Sequence, residues 1–496
     1  MIKRVLGTET EYGIATRDLE SATGGLDPVS NSLLLINQYP NLPSTKVLWD
    51  YEHENPLLDV RGFEVEGERE RPGPEYNRLL NKVLANGGRL YVDGAHPEYS
   101  TPECTNPRDV VIYERAGDRI IQICRELACR IKGQDKFLVY KNNTDGKGNS
   151  YGYHENYLVS RAVPFEQLMR HLVPFLVTRQ IYAGSGKWGA ENKTSPVPYQ
   201  ISQRADFFET LVDLNTMVKR PIINTRDEPH ADASQYRRLH VIVGDANMSE
   251  YTTYLKIGTT AIILTLIEEE ESLPALELED PVSAIKEVSR DTTLKRLVKL
   301  ADGRQLTAVE IQKNYLEAAH RFYSRRELDP LTKDILIKWE NVLRRLAEEP
   351  MQLSREIDWV IKRQLMLSYQ ERKNCDWEDP RISMMDLQYH DLRPEKGLYY
   401  ALERKGYVER IVMDEEIARA EQIPPADTRA YFRAMCLKKF PKEVFAVSWS
   451  SVLFDMGNSA IKKIPLMEPL RGTEQLTRPL LEASNNVEEL LSSLST

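Results

Sequence analysis

Gly7-Thr8-Glu9-Thr10-Glu11-Tyr12-Gly13 and Arg89-Leu90-Tyr91-Val92-Asp93-Gly94-Ala95-His96-Pro97-Glu98 decide how this chain is read. Both stretches have the pattern of strands, and alternate side chains of a strand share a face. Glu9 and Glu11 therefore point the same way. So do Arg89, Tyr91 and Asp93, while Leu90 and Val92 turn to the core. Carboxylates beside a guanidinium and a phenol make a poor apolar core and a good seat for hard cations and phosphates. The competing reading is an amphipathic edge strand with a solvated polar face.

Between the two patterns, residues 51–75 carry eight acidic and three basic side chains, with Pro72-Gly73-Pro74 near the end. A segment of that composition buries little apolar surface and is expected to be mobile. Its place between two site-lining strands suggests a lid or regulatory loop; an ordinary surface loop is the alternative.

Outward from this centre, residues 5–14, 137–140, 150–160 and 238–244 read as strands. Residues 109–131, 252–272, 307–325, 331–348 and 355–372 read as helices, and Leu33-Leu34-Leu35-Ile36 as the start of another. Residues 184–200, rich in glycine and proline, read as a loop. Pro424-Pro425 marks a boundary, giving a catalytic domain over 1–423, with its charged insert near 51–75, and a small C-terminal domain and tail over 424–496. The last stretch, 473–496, reads as a polar or weakly helical extension.

A chain of 496 residues is too long for one core, which agrees with that division. A content of 41% hydrophobic and 28% charged residues describes a soluble globular protein, and a net charge of -9 offers no global argument for nucleic acid. No apolar run reaches membrane-spanning length; Ile257 to Ile267 runs into Glu268-Glu269-Glu270-Glu271 and reads as a buried helix. Met1-Ile2-Lys3-Arg4-Val5 leads straight into a strand and is no signal peptide. Five cysteines, an odd number without a CxxC pair, indicate neither a disulfide framework nor a zinc site. These features set the expectation of a cytoplasmic protein with no membrane or nucleic-acid partner.

Two more polar clusters accompany the carboxylates. One is His154-Glu155-Asn156-Tyr157, suited to an ion or phosphate unless His154 is merely structural. The other is Asn224-Thr225-Arg226-Asp227-Glu228-Pro229-His230, followed by Arg237-Arg238-Leu239-His240. Guanidinium groups there suit phosphate or carboxylate, or local ion pairs on a solvated loop. The chain has no Walker A loop, and its one GxGxxG match, Gly184-Ser185-Gly186-Lys187-Trp188-Gly189, falls in the run read as a loop. Any nucleotide is thus expected on carboxylate-bound magnesium and arginines instead of a glycine-rich cradle.

These motifs resemble the Pup ligase/deamidase family, related to carboxylate-amine ligases, over roughly residues 2–472. The resemblance is carried by the Gly7 to Gly13 start, His96-Pro97-Glu98-Tyr99, Ser150-Tyr151-Gly152-Tyr153-His154-Glu155-Asn156-Tyr157-Leu158, Pro174-Phe175-Leu176-Val177-Thr178-Arg179-Gln180, the Asn224 to His230 run and the strand around His240. The deamidase/depupylase branch is favoured by Gly7-Thr8-Glu9, Asp145-Gly146-Lys147-Gly148, the insert before Arg89, Asp427-Thr428-Arg429-Ala430-Tyr431-Phe432-Arg433, and Glu468-Pro469-Leu470-Arg471-Gly472. Gly94, where that branch usually has histidine, and the ligase-like Glu356 to Lys362 run depart from it.

The resemblance implies an α+β fold: a glutamine-synthetase-like large domain with a curved, mainly antiparallel sheet backed by helices, plus a small C-terminal domain. It implies magnesium on Glu9, Tyr91 and Glu98, with Glu11 and Glu155 as further candidate ligands. It implies ATP contacts from Arg89, Thr101, His240 and Trp449, and Asp93 as the catalytic carboxylate, acting as nucleophile or as a base toward water. The implied reaction is ATP-dependent hydrolysis of the isopeptide bond between the modifier Pup and a lysine, together with deamidation of a C-terminal glutamine of Pup. The alternative is a Pup-type ligase joining a C-terminal glutamate to lysine as ATP is consumed. Implied partners are Pup or a Pup-like modifier, pupylated proteins and, as a further candidate, a proteasome-associated ATPase. Arg161, Arg179, Arg204, Arg226, Arg237 and Arg238 are the candidates for a basic groove that would receive an acidic modifier.

Overall fold

Thr8 and Thr10 are buried while Gly7, Glu9 and Glu11 are half-buried, which is the two-residue period of a strand with one face on helices and the other on a cleft. The structure, a computed structural model, describes residues 4–16, 27–40, 46–67, 71–132, 137–216, 219–457 and 460–494. Its central sheet comprises β1 (Leu6–Glu11), β2 (Asn81–Val83), β3 (Arg89–Asp93), β4 (His96–Ser100), β5 (Tyr153–Ser160) and β6 (Tyr236–Val241). Their spatial order is β6-β5-β1-β4-β3-β2, and every neighbouring pair is antiparallel.

Helices Pro28–Ile36, Pro107–Lys132 and Glu250–Glu268 pack on the back of the sheet. The expected α+β, glutamine-synthetase-like arrangement is present. Asp27 starts the first helix by accepting from the amides of Val29 and Ser30, with Pro28 in the first turn. Leu33 to Ile36 therefore end a helix instead of opening one. The back of β1 is polar as well as buried. Thr8 Oγ1 donates to Glu114 (3.2 Å) and Tyr12 to Asp118 (2.9 Å), and Lys141 Nζ donates to both carboxylates at 2.9 and 3.0 Å. Each buried charge there has an opposite partner, the condition under which such groups are tolerated.

Four expected helices appear as Glu250–Glu268, Ala308–Tyr323, Pro330–Glu348 and Asp358–Lys373. The expected first strand is two: beyond β1 the chain pairs again as Gly13–Thr16 with Phe137–Tyr140, outside the main sheet. Helix Phe165–Ala183 was not expected. It is buried along its C-terminal two-thirds and contains Pro174, so it shows neither the polar stripe nor the composition by which a surface helix is read.

A second sheet joins Val444–Ser448, Ser451–Asp455 and Ile461–Pro465, and Leu48–Trp49 lies parallel to the first of these. Chain from before the insert thus enters the C-terminal unit, where Val47 and Trp49 share a core with Phe432, Cys436 and Val447. The tail is also part of it. The stretch read as a polar or weakly helical extension is helical, as Glu474–Ala483 and Val487–Leu494, and it is packed, with Leu481, Val487 and Leu490 buried in the same core.

The charged insert is held at several points, Glu52 by Lys463 and Glu54 by Trp49 among them, and most deeply at Asp59. Asp59 is fully buried and accepts from Thr225 Oγ1 at 2.5 Å and from Arg61, while Val60 N donates to Thr225 O and Asp227 N to Leu58 O. The expectation of a mobile segment therefore fails around Asp59; residues 68–70 lie outside the described residues. Asp59→Ala should strip this anchor and leave Thr225 without its acceptor, a loss of about 1–3 kcal/mol. Limited proteolysis should then cut residues 53–67 faster than in the parent protein, and an unchanged rate would show that the anchor contributes nothing.

Candidate functional site

Register brings the two acidic patterns side by side. Glu11 pairs with Glu98, and Glu98 with Tyr91, so these three form one row across β1, β4 and β3. Glu9 pairs with His154 on one side and Ser100 on the other, and Ser100 with Arg89, forming the next row. Asp93 and His96 close a tight hairpin whose Gly94 has φ of 54°. The turn uses a left-handed conformation that glycine adopts without strain. A histidine here would be strained, which gives Gly94 a physical reason.

Two sets of candidate ligand atoms converge within 4.8 Å: Glu11, Asp93 and Glu98, and separately Glu9, His154 and His240. The sequence grouped Glu9 with Glu98 and kept Asp93 apart; the structure sets Asp93 against Glu98 and Glu11. Asp93 is exposed and Glu98 buried. Burial, then the charges of Asp93, Glu11 and Glu9, push the Glu98 carboxyl well above its usual range. Burial would raise Glu9 too, but the hydrogen bond from His154 and the charges of His240 and Arg238 hold it well below. Nδ1 of His154 lies 3.1 Å from Glu9 Oε2, and Asn156 Nδ2 donates to Oε1 at 3.1 Å.

Glu98 Oε2 and His240 Nε2 are buried without a hydrogen-bond partner. A buried carboxyl with one oxygen unpaired and other carboxylates close by is a costly arrangement that a divalent cation relieves. The donor set of carboxylates, a phenol and imidazoles fits a hard cation. Tyr91 stands across from Glu98 on the neighbouring strand, and burial raises its phenol well above the usual range, so it is neutral.

Beside this cage lies an open cleft. Its floor is Val5, Gly7 and Glu9 with Asn156 and Leu158; Trp449, Arg429 and Pro469 cover it from the C-terminal unit, and Pro229 and His230 from the loop before β6. Thr101 and Trp449, the residues the resemblance assigns to ATP, line it. Trp449 sits at the turn between Val444–Ser448 and Ser451–Asp455, edge-on to Trp49 at 5.2 Å, and its carbonyl accepts from Arg433. His240 Nδ1 lies next to the cleft, 2.9 Å from Arg238 and 3.3 Å from Asn156. Arg89 is set apart from the lining: it donates to Asn81 Oδ1 and lies between the Trp49 and Tyr91 rings, 3.4 Å from Glu54 of the insert.

Two readings are corrected. Glu155 faces the back of β5, because His154 and Asn156 take the front; it accepts both Arg179 nitrogens at 2.8 and 2.5 Å and Tyr157 at 2.6 Å, so it is no ligand to an ion in the cleft. The basic groove also fails. Arg179, Arg204, Arg237 and Arg238 are buried, and Arg161 is committed to Asp227 at 2.7 and 2.9 Å. The sequence reading missed His230 and Arg429 as lining residues, although both stand in runs it had singled out.

All five cysteines are free thiols, in line with their odd number and spacing. Among the described residues no helix is long and apolar enough to cross a membrane.

A family model described as Pup-ligase protein matches residues 4–453. The "Depupylase" of Acidothermus cellulolyticus is 47% identical, covering 99% of this chain and 99% of its own. The "Pup deamidase/depupylase" of Mycolicibacterium smegmatis is 44% identical over 100% of both chains. A solved structure of the Pup ligase PafA in complex with ADP superposes with a TM-score of 0.75 at 36% identity, covering 85% of this chain and 95% of that one.

Proposed function

This chain belongs to the Pup-ligase protein family, and from that membership we propose that it is a depupylase and Pup deamidase. It hydrolyses the isopeptide bond between Pup and a substrate lysine, and the terminal carboxamide of a glutamine-ended Pup. Both are one reaction: the carbon–nitrogen bond breaks, water supplies a hydroxyl to the carbonyl and a proton to the leaving lysine amine or ammonia. The observation that carries this reading is the exposed Asp93 carboxylate set against Glu98 and Glu11 beside the cleft, in a chain alike over its whole length to enzymes named for this reaction. Sequence identity to the ligase structure is lower, at 36%.

In this reading Glu9, Thr101, His240 and Trp449 would hold ATP, while Arg89, also expected among its contacts, is engaged by Asn81 outside the cleft lining. The ADP of the ligase structure supports a nucleotide here. Glu9, Tyr91 and Glu98, with Glu11 beside them, would hold magnesium, which when bound supplies positive charge to phosphate oxygens. Asp93 either attacks the carbonyl or draws the proton from the attacking water. The partners are Pup and pupylated proteins, with a proteasome-associated ATPase as a further one. The setting is the cytoplasm, where thiols stay reduced. Residues 1–423 form the catalytic domain, apart from the strand Leu48–Trp49, and 424–496 with that strand form the small one.

Trp449→Ala should weaken ATP binding about tenfold by removing the aromatic cover, with the ATP Kd measured by calorimetry; an unchanged Kd would move the base elsewhere. The function itself is tested by intact-mass analysis of a Pup–protein conjugate incubated with the enzyme, with and without magnesium-ATP. Nucleotide-dependent release of free Pup and unmodified target, without stoichiometric loss of ATP, is expected. Attachment of Glu-ended Pup as ATP is spent would make the protein a ligase instead.

A further inference from the structure

Three exposed lysines gather on one patch beyond Asp93. Lys147 stands between Gly146, φ 70°, and Gly148, φ 95°, while Lys193 and Lys219 themselves have left-handed backbones, φ 57° and 50°. Lysine holds that conformation less readily than glycine or asparagine does. Such outliers persist where surrounding structure holds them, and here it does. Glu191 accepts from Thr144 Oγ1 at 2.5 Å and from Gly148 N at 3.4 Å, which ties the turn of Lys147 to the loop of Lys193. Asn192 Nδ2 donates to Glu209 at 3.3 Å, which ties that loop to the parallel strands Phe208–Asp213 and Arg220–Asn224. Arg220 donates to Ser150 O at 2.6 Å and closes the circuit.

The patch adjoins the carboxylate cage at the end of β1 opposite to the cleft. The cleft lies at Val5, Gly7 and Leu158, and β5 is antiparallel to β1, so the chain before Tyr153 emerges at the Glu11 end. Tyr151 there stacks on His96, 4.5 Å between ring centres, and His96 shares the hairpin of Asp93. The charge of Asp145 acts on His96, and that of Glu11 on Arg220. Positive charge is in excess. Lys147, Lys193 and Lys219 make no ion pair with a described residue. The carboxylates among them are engaged: Asp145 accepts from the amides of Lys147 and Asn149, Glu191 pairs with Lys187 at 2.8 Å, and Glu209 receives Asn192.

An isopeptide substrate has Pup on the carbonyl side of the bond and a target protein on the amine side. A glutamine-ended Pup has the same carbonyl side and only ammonia on the other. A lysine side chain is short beside a folded domain, so when its nitrogen lies at Asp93 the target surface around that lysine meets the enzyme surface around Asp93. We propose that the patch of Lys147, Lys193, Lys219 and Arg220 is where the target protein rests, and that it favours targets with acidic side chains beside the modified lysine. The inference rests on the depupylase reading. Flexible ammonium groups on anchored loops can follow targets of different shape. Charges at the rim of an interface act on encounter and partner choice more than on grip.

The test uses three substrates on the full chain with magnesium-ATP: a folded carrier with Pup on a lysine flanked by glutamates, the same carrier with those glutamates changed to glutamine, and glutamine-ended Pup alone. The parent is compared with the combined variant Lys147→Gln, Lys193→Asn, Lys219→Asn; asparagine tolerates positive φ, so the loops are kept. The variant should raise KM for the acid-flanked carrier roughly fivefold to tenfold at low salt, with kcat within about twofold, the scale of three exposed charges at an interface. That ratio should shrink as salt rises from about 0.01 M to about 0.15 M and the screening length falls from about 30 to about 8 Å. The neutral carrier and the deamidation of Pup should change by less than about twofold. Deamidation weakened as much as cleavage would assign the patch to Pup and overturn the proposal, and so would a parent without preference for the acidic carrier or a variant that keeps it. A parent that hydrolyses none of the three substrates would overturn the depupylase reading and the proposal with it.

Discussion

Asp93→Asn is expected to lower the rate of isopeptide cleavage by at least about 10³-fold, within the range found when a positioned acid–base or nucleophilic group is removed. The substitution keeps the size of the side chain and removes its charge. Asp93 ends β3 at the exposed lip of the cage, and neither its burial nor any hydrogen bond there makes it a structural support. Of the three converging carboxylates it is the accessible one. Glu98 is buried and pushed toward its neutral form, and Glu11 faces His96 at 3.5 Å. The fold should therefore survive, and ATP should bind within a few-fold of the parent. Single-turnover release of Pup at saturating magnesium-ATP, read by intact mass, gives the rate; calorimetry gives the ATP affinity. Rate and affinity falling together would instead make Asp93 a holder of the cation. Oxygen-18 from solvent appearing in Asp93 after turnover would identify attack by the carboxylate itself. Glu98→Gln provides the contrast: it removes the unpartnered buried oxygen, and magnesium-dependent ATP affinity should fall with the rate.

The central sheet was legible because its strands carry the two-residue period in their polar groups. Glu9 and Glu11 on one face, with Tyr91 and Asp93 on another strand, announce a site whatever fold contains them. The same rule, applied to His154-Glu155-Asn156, would have sent Glu155 to the back; reading the cluster as adjacent residues, without its period, produced that error. Helix Phe165–Ala183 was hidden for another reason. Its buried part has no polar stripe, and Pro174 argues against a helix, yet Thr178 Oγ1 and Gln312 satisfy carbonyls nearby. Tertiary packing overrides local preference there. What no sequence pattern contained was pairing at long range: Leu48–Trp49 joining the C-terminal sheet, Asp59 docking on Thr225, and four of six candidate groove arginines sinking into the interior. An arginine's charge is visible in sequence, but whether a carboxylate meets it is decided by topology.

Glu103→Gln should destabilise the protein by about 3–5 kcal/mol, the usual cost of removing one partner from a buried ion pair. Glu103 follows the strand-end Thr101 and receives Arg429 Nε at 2.7 Å and Arg433 at 2.5 and 3.1 Å, both from the C-terminal unit. All three side chains are at most one-tenth exposed. Burial opposes the Glu103 charge, but the two guanidinium groups outweigh it and bring the carboxyl down to about 2. A folded value below the unfolded one means stability that is fully present above the ordinary glutamate range and is lost as pH falls from there through about 2. The shift corresponds to about 3 kcal/mol, close to the mutational expectation. Urea unfolding at pH 7 should therefore separate the parent from Glu103→Gln, and the gap should close as pH falls from about 4.5 toward 2. A gap that stays constant over that range would show that the charge of Glu103 contributes nothing. The effect should reach the site as well. Arg433 also donates to Gly87 O and to the carbonyl of Trp449, so the carboxylate that orders Arg433 also places the aromatic cover of the cleft. Glu103→Leu combined with Arg429→Met and Arg433→Met should recover much of the stability, because it removes all three buried charges of the cluster. It should not recover ATP affinity, since the hydrogen bond that holds Trp449 is gone. Stability and nucleotide binding would then part company at this one contact, as expected of a joint that both fastens the C-terminal unit and sets the geometry of the cleft.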